Sequence, residues 1–549
     1  MKSEIIKAAC GRINCDVVIK GGKIVDIFGR RIIQGDVGIK HGIIVGVGEY
    51  KGDNEIDARG MYISPGLIDS HVHIESAMVK PSEYAKAVAA RGVTSIIADP
   101  HEIVNVCGEA GLRFMIEDSK NVPVDIFYMM PSCVPATPFD NAGAKIDSEL
   151  TKKLIDKYEL MGLGEMMNFT GVINCDKEVI NKMEGVNIID GHCPLVSGME
   201  LNGYICGGVS NDHECSNAAE ALEKISKGLN ILIREGSGAK NLVEIIKAIT
   251  PYNIRSFAFC TDDKHIEDII EEGTISHCIN KAILLGMDAI DAITIGSYNT
   301  ALMYNLGKRG AIAPNYIGDI VISSDINLQN IRYVLKEGKV IVKEGKALFE
   351  AVVGDISDVI NTINLKNIAN GAFDIEFSKD KMIIEIEKGS LITKGVFAES
   401  NEGLSICANI ERHRASGNIG KSYIKGITIN DGAIAQSIGH DSHNITVIGS
   451  DSANMEIAVN SLGKAGGIAV VHKGKVISNM TLDIGGIISA KEYNAVAREQ
   501  REIIEACNII SSDASSEVLM ILSFISLLVI PHIKLGDKGI FDVDKFRYL

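Results

Sequence analysis

Residues 65–75 constrain this chain more than any other stretch, because a short apolar run there ends in two histidines, His71 and His73. Side chains alternate faces along a strand, so the two imidazoles are predicted to point the same way, about 6.5 to 7 Å apart along the backbone. That spacing suits one metal ion held by two histidines. The pair alone is equally compatible with two histidines on a solvated strand face, so the rest of the chain has to decide.

The overall composition limits the classes of partner. The chain has 549 residues, of which 46% are hydrophobic, and is long enough for roughly two to four domains. A formal net charge of −16 argues against nucleic acid and anionic membranes, since both bind basic patches. The 12 cysteines form no C-x-x-C pair, residues 1–15 lack the apolar core of a signal peptide, and the longest apolar run, residues 518–530, is too short to span a bilayer. We therefore expect a cytoplasmic protein with reduced thiols.

The pattern of strands and turns divides the chain into three domains. Short apolar runs alternate with glycine-containing turns in residues 15–48 and again in residues 317–342, which predicts strands joined by tight turns. We expect residues 1–60 and 307–360 to form one composite small β-domain around an inserted domain. The pattern changes again after about residue 358, so residues 361–549 are predicted to form a third domain of mixed α and β structure.

The inserted domain, residues 61–306, alternates apolar strand-like runs with amphipathic segments. Eight such runs in about 240 residues match the size of a (β/α)₈ barrel, so the predicted fold class is α/β with a TIM-like barrel at its centre. The runs are the His71/His73 strand and residues 93–99, 124–129, 160–166, 186–190, 207–210, 229–234 and 256–260. A doubly wound open sheet is the alternative, but no Gly-x-Gly-x-x-Gly turn follows the first strand.

Polar side chains follow these predicted strands, where a barrel enzyme places its active site. They are Asp99, His101 and Glu102 after the second strand, Glu165 at the end of the fourth, His192 after the fifth, His213 after the sixth, Arg234 and Glu235 at the seventh, and Asp262 and Asp263 after the eighth. A random scatter of the 13 histidines would not place so many at strand ends. The sequence therefore predicts a metal site at this end of the barrel.

The predicted donors suffice for two divalent ions that share one ligand. A carboxylate can bridge two ions because each of its oxygens reaches a different one, and Glu165 is placed to do so. Two ions about 3.5 to 4 Å apart lower the pKa of a bridging water, so that hydroxide forms near neutral pH. Asp262 is the candidate to carry the proton of that water. Asp263 is predicted either to contact substrate or to cap the helix that follows.

The segments around these residues resemble the amidohydrolase superfamily and, within it, the bacterial and archaeal adenine deaminases. The run PGLIDSHVHIES is similar to the first-strand motif of the superfamily. More specific to the adenine deaminases are ADPHEI (98–103), GLGEMMN (162–168), DGH (190–192), SNDHE (210–214), REGS (234–237) and CTDD (260–263). HDSHN (440–444) and residues 522–531 resemble the C-terminal domain of that family. Many other amidohydrolases carry a carboxylated lysine where this chain has Glu165, as adenine deaminases do.

The resemblance implies hydrolysis of adenine to hypoxanthine and ammonia by a metal-bound hydroxide, a reaction of purine salvage and adenine catabolism. It implies two divalent ions, with manganese or ferrous iron expected and zinc as the alternative. The implied metal ligands are His71, His73, Glu165, His192, His213 and Asp262, of which Glu165 and Asp262 are also the catalytic residues. The candidates to bind the purine are His101, Glu102, Arg234, Glu235, Ser237 and Asp263. Arg234 and Glu235 are equally compatible with a mutual salt bridge.

Other interpretations stay open from the sequence. Another amidohydrolase that opens a cyclic amide, such as a hydantoin or a dihydropyrimidine, would share the metal site and differ in its substrate contacts. A non-catalytic scaffold would be free to lose ligands, whereas every expected ligand is present. His440 and His443 are compatible with a structural polar cluster, a further ion site or closure over the active site. Whether the chain forms a homo-oligomer is also left open.

Overall fold

The N-terminal strands form one side of a large sheet. The computed structural model describes residues 1–351, 354–387, 391–511 and 515–549. It begins with α1 (Lys2–Ala9) and five strands: β1 (Cys15–Asp26), β2 (Arg31–Lys40), β3 (Ile43–Gly48), β4 (Gly52–Asp57) and β5 (Tyr62–Pro65). The turn from β2 to β3 has φ of +50° at His41 and +76° at Gly42, which matches a two-residue hairpin turn whose twist suits the strands on either side.

Eight short strands, each followed by helical structure, occupy the central region. They are β6 (Leu67–Val72), β7 (Val93–Ala98), β8 (Asp125–Tyr128), β9 (Leu163–Met166), β10 (Ile189–Gly191), β11 (Asn211–Asp212), β12 (Asn230–Arg234) and β13 (Phe257–Cys260). All pairs are parallel, in three sheets: β6–β7–β8, β9–β10 and β11–β12–β13. Backbone contacts join these sheets at Met130 with Leu163, at Ser210 with Ile189 and at Val72 with Asp262. Parallel pairing brings the carboxyl ends of the strands to one edge.

The helices between these strands are α2 (Pro81–Ala89), α3 (His101–Cys107), α4 (Glu109–Ser119), α5 (Ser148–Tyr158), α6 (Phe169–Ile173), α7 (Lys177–Met183), α8 (Gly198–Cys206), α9 (Ala218–Ser226), α10 (Leu242–Ile245), α11 (Ile266–Glu271), α12 (Ile275–Leu284), α13 (Ala289–Thr294) and α14 (Thr300–Met303). The sixth strand lies later than predicted, at Asn211–Asp212 in place of residues 207–210, because Gly207 caps α8. Gly208 follows with φ of +101°, a backbone conformation that favours glycine.

Four later strands return to the first sheet: β14 (Ile320–Ser323), β15 (Ile331–Lys336), β16 (Lys339–Lys343) and β17 (Lys346–Ala347). β14 pairs antiparallel with β5, with Ile320 opposite Pro65. Strands from both sides of the central region therefore belong to one nine-stranded sheet. Across the described part of the chain, no helix combines the length and apolar character needed to cross a membrane.

The C-terminal region is mainly sheet, where the sequence predicted mixed α and β structure. Eight strands form one sheet: β18 (Ile383–Ile386), β19 (Thr393–Val396), β20 (Ser405–Ile410), β21 (Ile419–Lys425), β22 (Gly432–Gln436), β23 (Ile445–Gly449), β24 (Gly467–His472) and β25 (Lys475–Thr481). A smaller sheet contains β26 (Ile533–Gly536), β27 (Gly539–Asp542) and β28 (Arg547–Tyr548), and the helices are α15 (Ser452–Ser461), α16 (Tyr493–Ile510) and α17 (Ser515–Phe524).

One apolar core links the C-terminal region to the rest of the protein. A single cluster of buried side chains includes Ile24 from the first sheet, Ile233 from the central region and Ile434 from the C-terminal sheet. Burial of apolar area on this scale is the main favourable contribution to folding. It also holds the loop between β22 and β23 against the central region.

Candidate metal centre and active site

Six side chains that the sequence singled out as metal ligands meet at the carboxyl ends of the parallel strands. They are His71 at the end of β6, His73 just after it, Glu165 in β9, His192 after β10, His213 after β11 and Asp262 after β13. Five of the six are buried, and His192 is partly accessible. Period-two alternation along β6 and the parallel order of the strands place them together.

The histidine nitrogens converge on a common space. His71 and His73 face each other through their Nε2 atoms, which are 3.2 Å apart. Nδ1 of His73 lies 2.8 Å from the carbonyl oxygen of Asp99, an acceptor only, so Nδ1 carries a proton and Nε2 is the nitrogen that can bind a metal ion when the ring is neutral. The ring of His213 stacks on that of His71 at 4.4 Å. Buried imidazole nitrogens that converge in this way suit a metal ion.

Glu165 lies between four imidazoles. Its Oε1 is 3.3 Å from Nε2 of His73 and 3.3 Å from Nδ1 of His101. Its Oε2 is 2.8 Å from Nδ1 of His192 and 3.2 Å from Nε2 of His213. Burial acts to raise the pKa of Glu165, but hydrogen bonds to these histidines hold it well below its usual range. Each oxygen of an ionised carboxylate thus faces its own pair of imidazoles.

One carboxylate oxygen of Asp262 faces the histidines of the centre, and the other contacts the guanidinium of Arg234. Oδ1 is 3.1 Å from Nε2 of His73 and 3.5 Å from Nε2 of His71, while Oδ2 is 2.8 Å from Nη1 of Arg234. Burial acts to raise the pKa of Asp262, but the charge of Arg234 and the histidine hydrogen bonds keep it well below its usual range. The backbone of Asp262 has φ of +56°, a strained conformation that non-glycine residues adopt mainly where the surrounding structure imposes it.

Electrostatics differ between the stacked histidines. Burial and the neighbouring charge of His213 lower the pKa of His71 to about 4. Burial opposes protonation of His213 as well, but the hydrogen bond to Glu165 and the charge of Asp262 raise its pKa to about 9. The neighbouring carboxylates favour positive charge at His213, whereas desolvation opposes it at both histidines.

The donor set fits divalent metal ions. Donor atoms within 4.8 Å of one another include three overlapping groups: His71, His213 and Asp262; His71, His73 and Glu165; and Glu165, His192 and His213. Neutral imidazoles and ionised carboxylates are the forms that bind metal. The same donors suit zinc, iron and manganese, so they do not select one metal.

The predicted substrate-binding residues divide into those beside the centre and those turned elsewhere. Donor atoms of Asp263, His73 and Asp262 lie within 4.8 Å of one another, and the carboxylate of Asp263 accepts a hydrogen bond from the hydroxyl of Ser76. Ser237 donates to Asp268 and accepts from the backbone N–H of His265 at 2.9 Å, so its known partners belong to the neighbouring loop and α11.

Arg234 and Glu235 do not pair with each other. The guanidinium of Arg234 contacts Asp262 and Glu214, and Glu214 is a site neighbour that sequence reasoning did not single out, although it lies in the SNDHE segment. Glu235 points away: its Oε2 is 2.7 Å from Nζ of Lys281, and its Oε1 accepts from the backbone N–H of Leu242 at 3.2 Å.

The C-terminal region also reaches this site. The carboxylate of Glu102 contacts His440 and His443, which lies 341 positions away in sequence, while Nε2 of His101 is 3.2 Å from Oε1 of Glu102 and 3.8 Å from Oδ1 of Asp441. In the sequence, residues 440–444 were notable as a polar cluster and for their resemblance to the C-terminal domain of the adenine deaminases, and neither signal identified Glu102 as the partner.

Comparisons with known proteins identify the family of this chain. Residues 62–233 match the amidohydrolase family, and residues 382–547 match the adenine deaminase C-terminal domain. An adenine deaminase from Clostridium acetobutylicum is 42% identical, over 100% of this chain and 99% of the relative. Adenine deaminases from Thermosipho africanus and Halalkalibacterium halodurans are 39% and 37% identical, over 99% and 98% of this chain and 98% and 96% of the relatives. The chain therefore belongs to the adenine deaminase family of amidohydrolases.

Proposed function

We propose that this protein hydrolyses adenine to hypoxanthine and ammonia, as an enzyme of purine salvage or adenine catabolism. The observation that carries the proposal is the complete set of six donors in a chain whose full-length relatives are adenine deaminases. A cytoplasmic location stays a prediction from the sequence. A hydrolase for hydantoins or dihydropyrimidines would use similar metal ligands, but the relatives do not favour it.

We infer that β6 to β13 form a (β/α)₈ barrel. The three parallel sheets and the backbone contacts that join Met130 to Leu163, Ser210 to Ile189 and Val72 to Asp262 support this inference. The corresponding domains are a composite β-domain of residues 1–60 and 307–360, the barrel of residues 61–306 and a C-terminal domain of residues 361–549. Since β5 pairs with β1 and β14, a boundary just after Pro65 fits the composite sheet better than one at residue 60.

The residues of the centre would hold two divalent ions, with Glu165 shared between them. The other ligands would be His71, His73, His192, His213 and Asp262. Manganese or ferrous iron is the proposed metal and zinc the alternative. Bound there, the ions would lower the pKa of a water molecule and so make hydroxide available near neutral pH.

Asp262 is the proposed proton carrier. Arg234 holds it as a carboxylate through Oδ2, so Oδ1, which faces the histidines, is the oxygen proposed to accept a proton. Oδ1 takes one proton of the attacking water and delivers it to the departing amino group, which leaves as ammonia, and the second proton of the water ends on the ring nitrogen of hypoxanthine.

Attack at the amino-bearing carbon builds negative charge on the adjacent ring nitrogen, which must then be protonated or hydrogen-bonded. His101, Glu102 and Asp263 are the proposed purine contacts, because their side chains lie beside the ligands. Arg234 acts on Asp262 in this proposal. Glu235 and Ser237, which have partners elsewhere, support the surrounding helices.

The test compares substrates on the same enzyme, first stripped of metal and then reloaded with manganese, ferrous iron or zinc. Ammonia release is measured with adenine, adenosine and cytosine, and ring opening of hydantoin and dihydrouracil is followed by chromatography. We expect metal-dependent release of ammonia from adenine, with the other compounds turned over at least about 100-fold more slowly. Ring opening of a cyclic amide without turnover of adenine would overturn the proposal.

A further inference from the structure

The loop between β22 and β23 is anchored firmly within the C-terminal region. The ring of His440 stacks on Phe524, with centroids 4.4 Å apart and an interplanar angle of 10°, and its backbone N–H donates to the carbonyl oxygen of Ser523 at 2.8 Å. The buried Arg412 donates from Nε to the carbonyl oxygen of His443 and from Nη2 to that of Gly485 at 2.9 Å. These contacts therefore hold His440 and His443 in fixed positions.

Both histidines are directed at one carboxylate of the central region. Glu102, in the first turn of α3, is buried, and its two oxygens meet different imidazoles: Oε1 contacts Nδ1 of His440 and Oε2 contacts Nε2 of His443. Donor atoms of His101, Glu102, His440 and Asp441 also lie within 4.8 Å of one another, so a cation held by these groups is the alternative that the metal content below tests. A buried carboxylate needs such partners, because desolvation of an unpaired charge is costly.

The proton on His443 can be assigned from its second contact. The backbone N–H of Gly439 donates to Nδ1 of His443 at 3.3 Å, so Nδ1 is the acceptor nitrogen. Nε2 then carries the proton and donates it to Glu102. This orientation makes His443 a directional partner for one carboxylate oxygen.

Glu102 in turn lies next to the metal ligands. Nε2 of His101 is 3.2 Å from Oε1 of Glu102, and Nδ1 of the same ring is 3.3 Å from Oε1 of Glu165. One imidazole thus separates the carboxylate held by the C-terminal loop from the carboxylate proposed to bridge the ions.

We propose that His440 and His443 are positioning residues of the active site, which hold the Glu102 carboxylate against His101 so that the C-terminal region completes a site otherwise built by the central region. The inference rests on the proposed function for its catalytic readout. Partners that orient groups around a metal site are typically worth 10- to 100-fold in activity or metal affinity.

The first test replaces each histidine with asparagine or glutamine in the full-length, metal-loaded enzyme, so that a side-chain amide takes the place of one imidazole nitrogen. The side-chain amide of Asn places its nitrogen near the position of Nδ1, and that of Gln reaches the position of Nε2. We expect His440→Ala and His443→Ala each to lower kcat/KM for adenine about 10- to 100-fold. His440→Asn and His443→Gln should recover most of that loss, whereas the exchanged pair, His440→Gln and His443→Asn, should not.

The matched control is His532→Ala, which removes a half-exposed histidine of the same region that pairs with Asp544. We expect its kcat/KM to stay within about threefold of wild type. Equal recovery by Asn and Gln at both positions, or no recovery by either, would overturn the positioning role.

The second test is a double-mutant cycle between Glu102→Gln and His443→Ala. If His443 acts through Glu102, its replacement should cost less than about threefold in kcat/KM once Glu102 is already changed. Equal losses in both backgrounds would overturn the inference. Thermal unfolding of the wild type, the two single variants and the double variant gives a second cycle that needs no substrate. We expect the losses of stability from the two single changes to be non-additive in the double variant.

Metal content distinguishes the positioning role from a further ion site, and the activity of the wild type tests the proposed function separately. We expect two ions per chain in the wild type and in His440→Ala. A third ion that is present in the wild type and lost in His440→Ala would overturn the positioning role in favour of a cation site. A wild type without activity on adenine would overturn the proposed function, whereas the thermal cycle would still decide whether His443 and Glu102 are coupled.

Discussion

Arg234 pairs with Asp262, 28 positions away, and not with Glu235, its neighbour in sequence: Nη1 of Arg234 lies 2.8 Å from Oδ2 of Asp262. The pairing leaves Oδ1 of Asp262 directed at His71 and His73. The same Nη1 also contacts Glu214, so the guanidinium that holds Oδ2 of Asp262 is itself held by a second carboxylate.

Replacement of Asp262 by asparagine should remove the proton carrier and retain most of the metal ligands. We expect Asp262→Asn to lower kcat for adenine by about two orders of magnitude or more while metal content stays largely intact. Steady-state kinetics and elemental analysis on the same preparation check both parts. An Asp262→Asn enzyme that turned over adenine at nearly the wild-type rate would move the proton-transfer role to another carboxylate, with Glu102 next in line.

His71 and His73 should be required for metal binding. Since their Nε2 atoms converge on one space, replacing both with alanine should remove at least one ion per chain and nearly all turnover. Elemental analysis measures the loss, and His41→Ala, at a surface histidine that contacts Glu4, is the matched control. Full metal content in the double variant would show that the ions bind elsewhere.

Glu165→Gln tests whether one carboxylate serves two ions. The amide keeps the size of the side chain but lacks the charge that holds both metals, so occupancy of the second ion should fall first. Titration of the apo-protein with manganese, followed by elemental analysis, measures the two occupancies. Two ions bound as tightly as in the wild type would contradict the shared role of Glu165.

Glu235 should contribute to stability and not to chemistry. Its carboxylate is buried and pairs with the partly exposed Lys281, so Glu235→Gln should cost about 1 to 3 kcal/mol of unfolding free energy. We expect a lower apparent Tm, with metal content unchanged and kcat within about threefold. A large loss of kcat at unchanged Tm would contradict this prediction and indicate that Glu235 contacts the substrate.

Lys534 should make stability depend on pH. Its amino group is buried and donates to the carbonyl oxygen of Leu391 at 2.8 Å, and burial lowers its pKa to about 7, whereas in the unfolded chain it is about 10.4. Between about pH 7 and 10 the unfolded state therefore binds one more proton, and this group increases stability as pH rises, by at most about 1.4 kcal/mol per unit.

Lys534→Met removes that dependence. The variant should exceed the wild type in apparent Tm most at pH 6.5, and the difference should shrink by pH 9.5. Thermal unfolding at constant ionic strength checks this, with Lys475→Met at an exposed position of β25 as the control. A difference that did not change with pH would mean that Lys534 keeps an ordinary pKa in the folded state.

The sequence alone indicated much of this architecture because the relevant signals are local. Strand periodicity places His71 and His73 on one side, and parallel order brings strand ends such as Glu165, His213 and Asp262 to one edge. The sixth strand was misplaced because the glycines at 207 and 208 end a helix, a distinction that short apolar runs do not carry.

The choice of partners was decided only by the tertiary structure. Arg234 could pair with the adjacent Glu235 or with a distant carboxylate, and packing of Glu235 against Lys281 selects the second arrangement. His443 meets Glu102 across 341 positions because a shared apolar core docks the C-terminal sheet on the central region. Such contacts form because a charge that is buried in the folded protein needs a partner of opposite charge or a hydrogen bond. No local pattern of residues specifies which partner that will be.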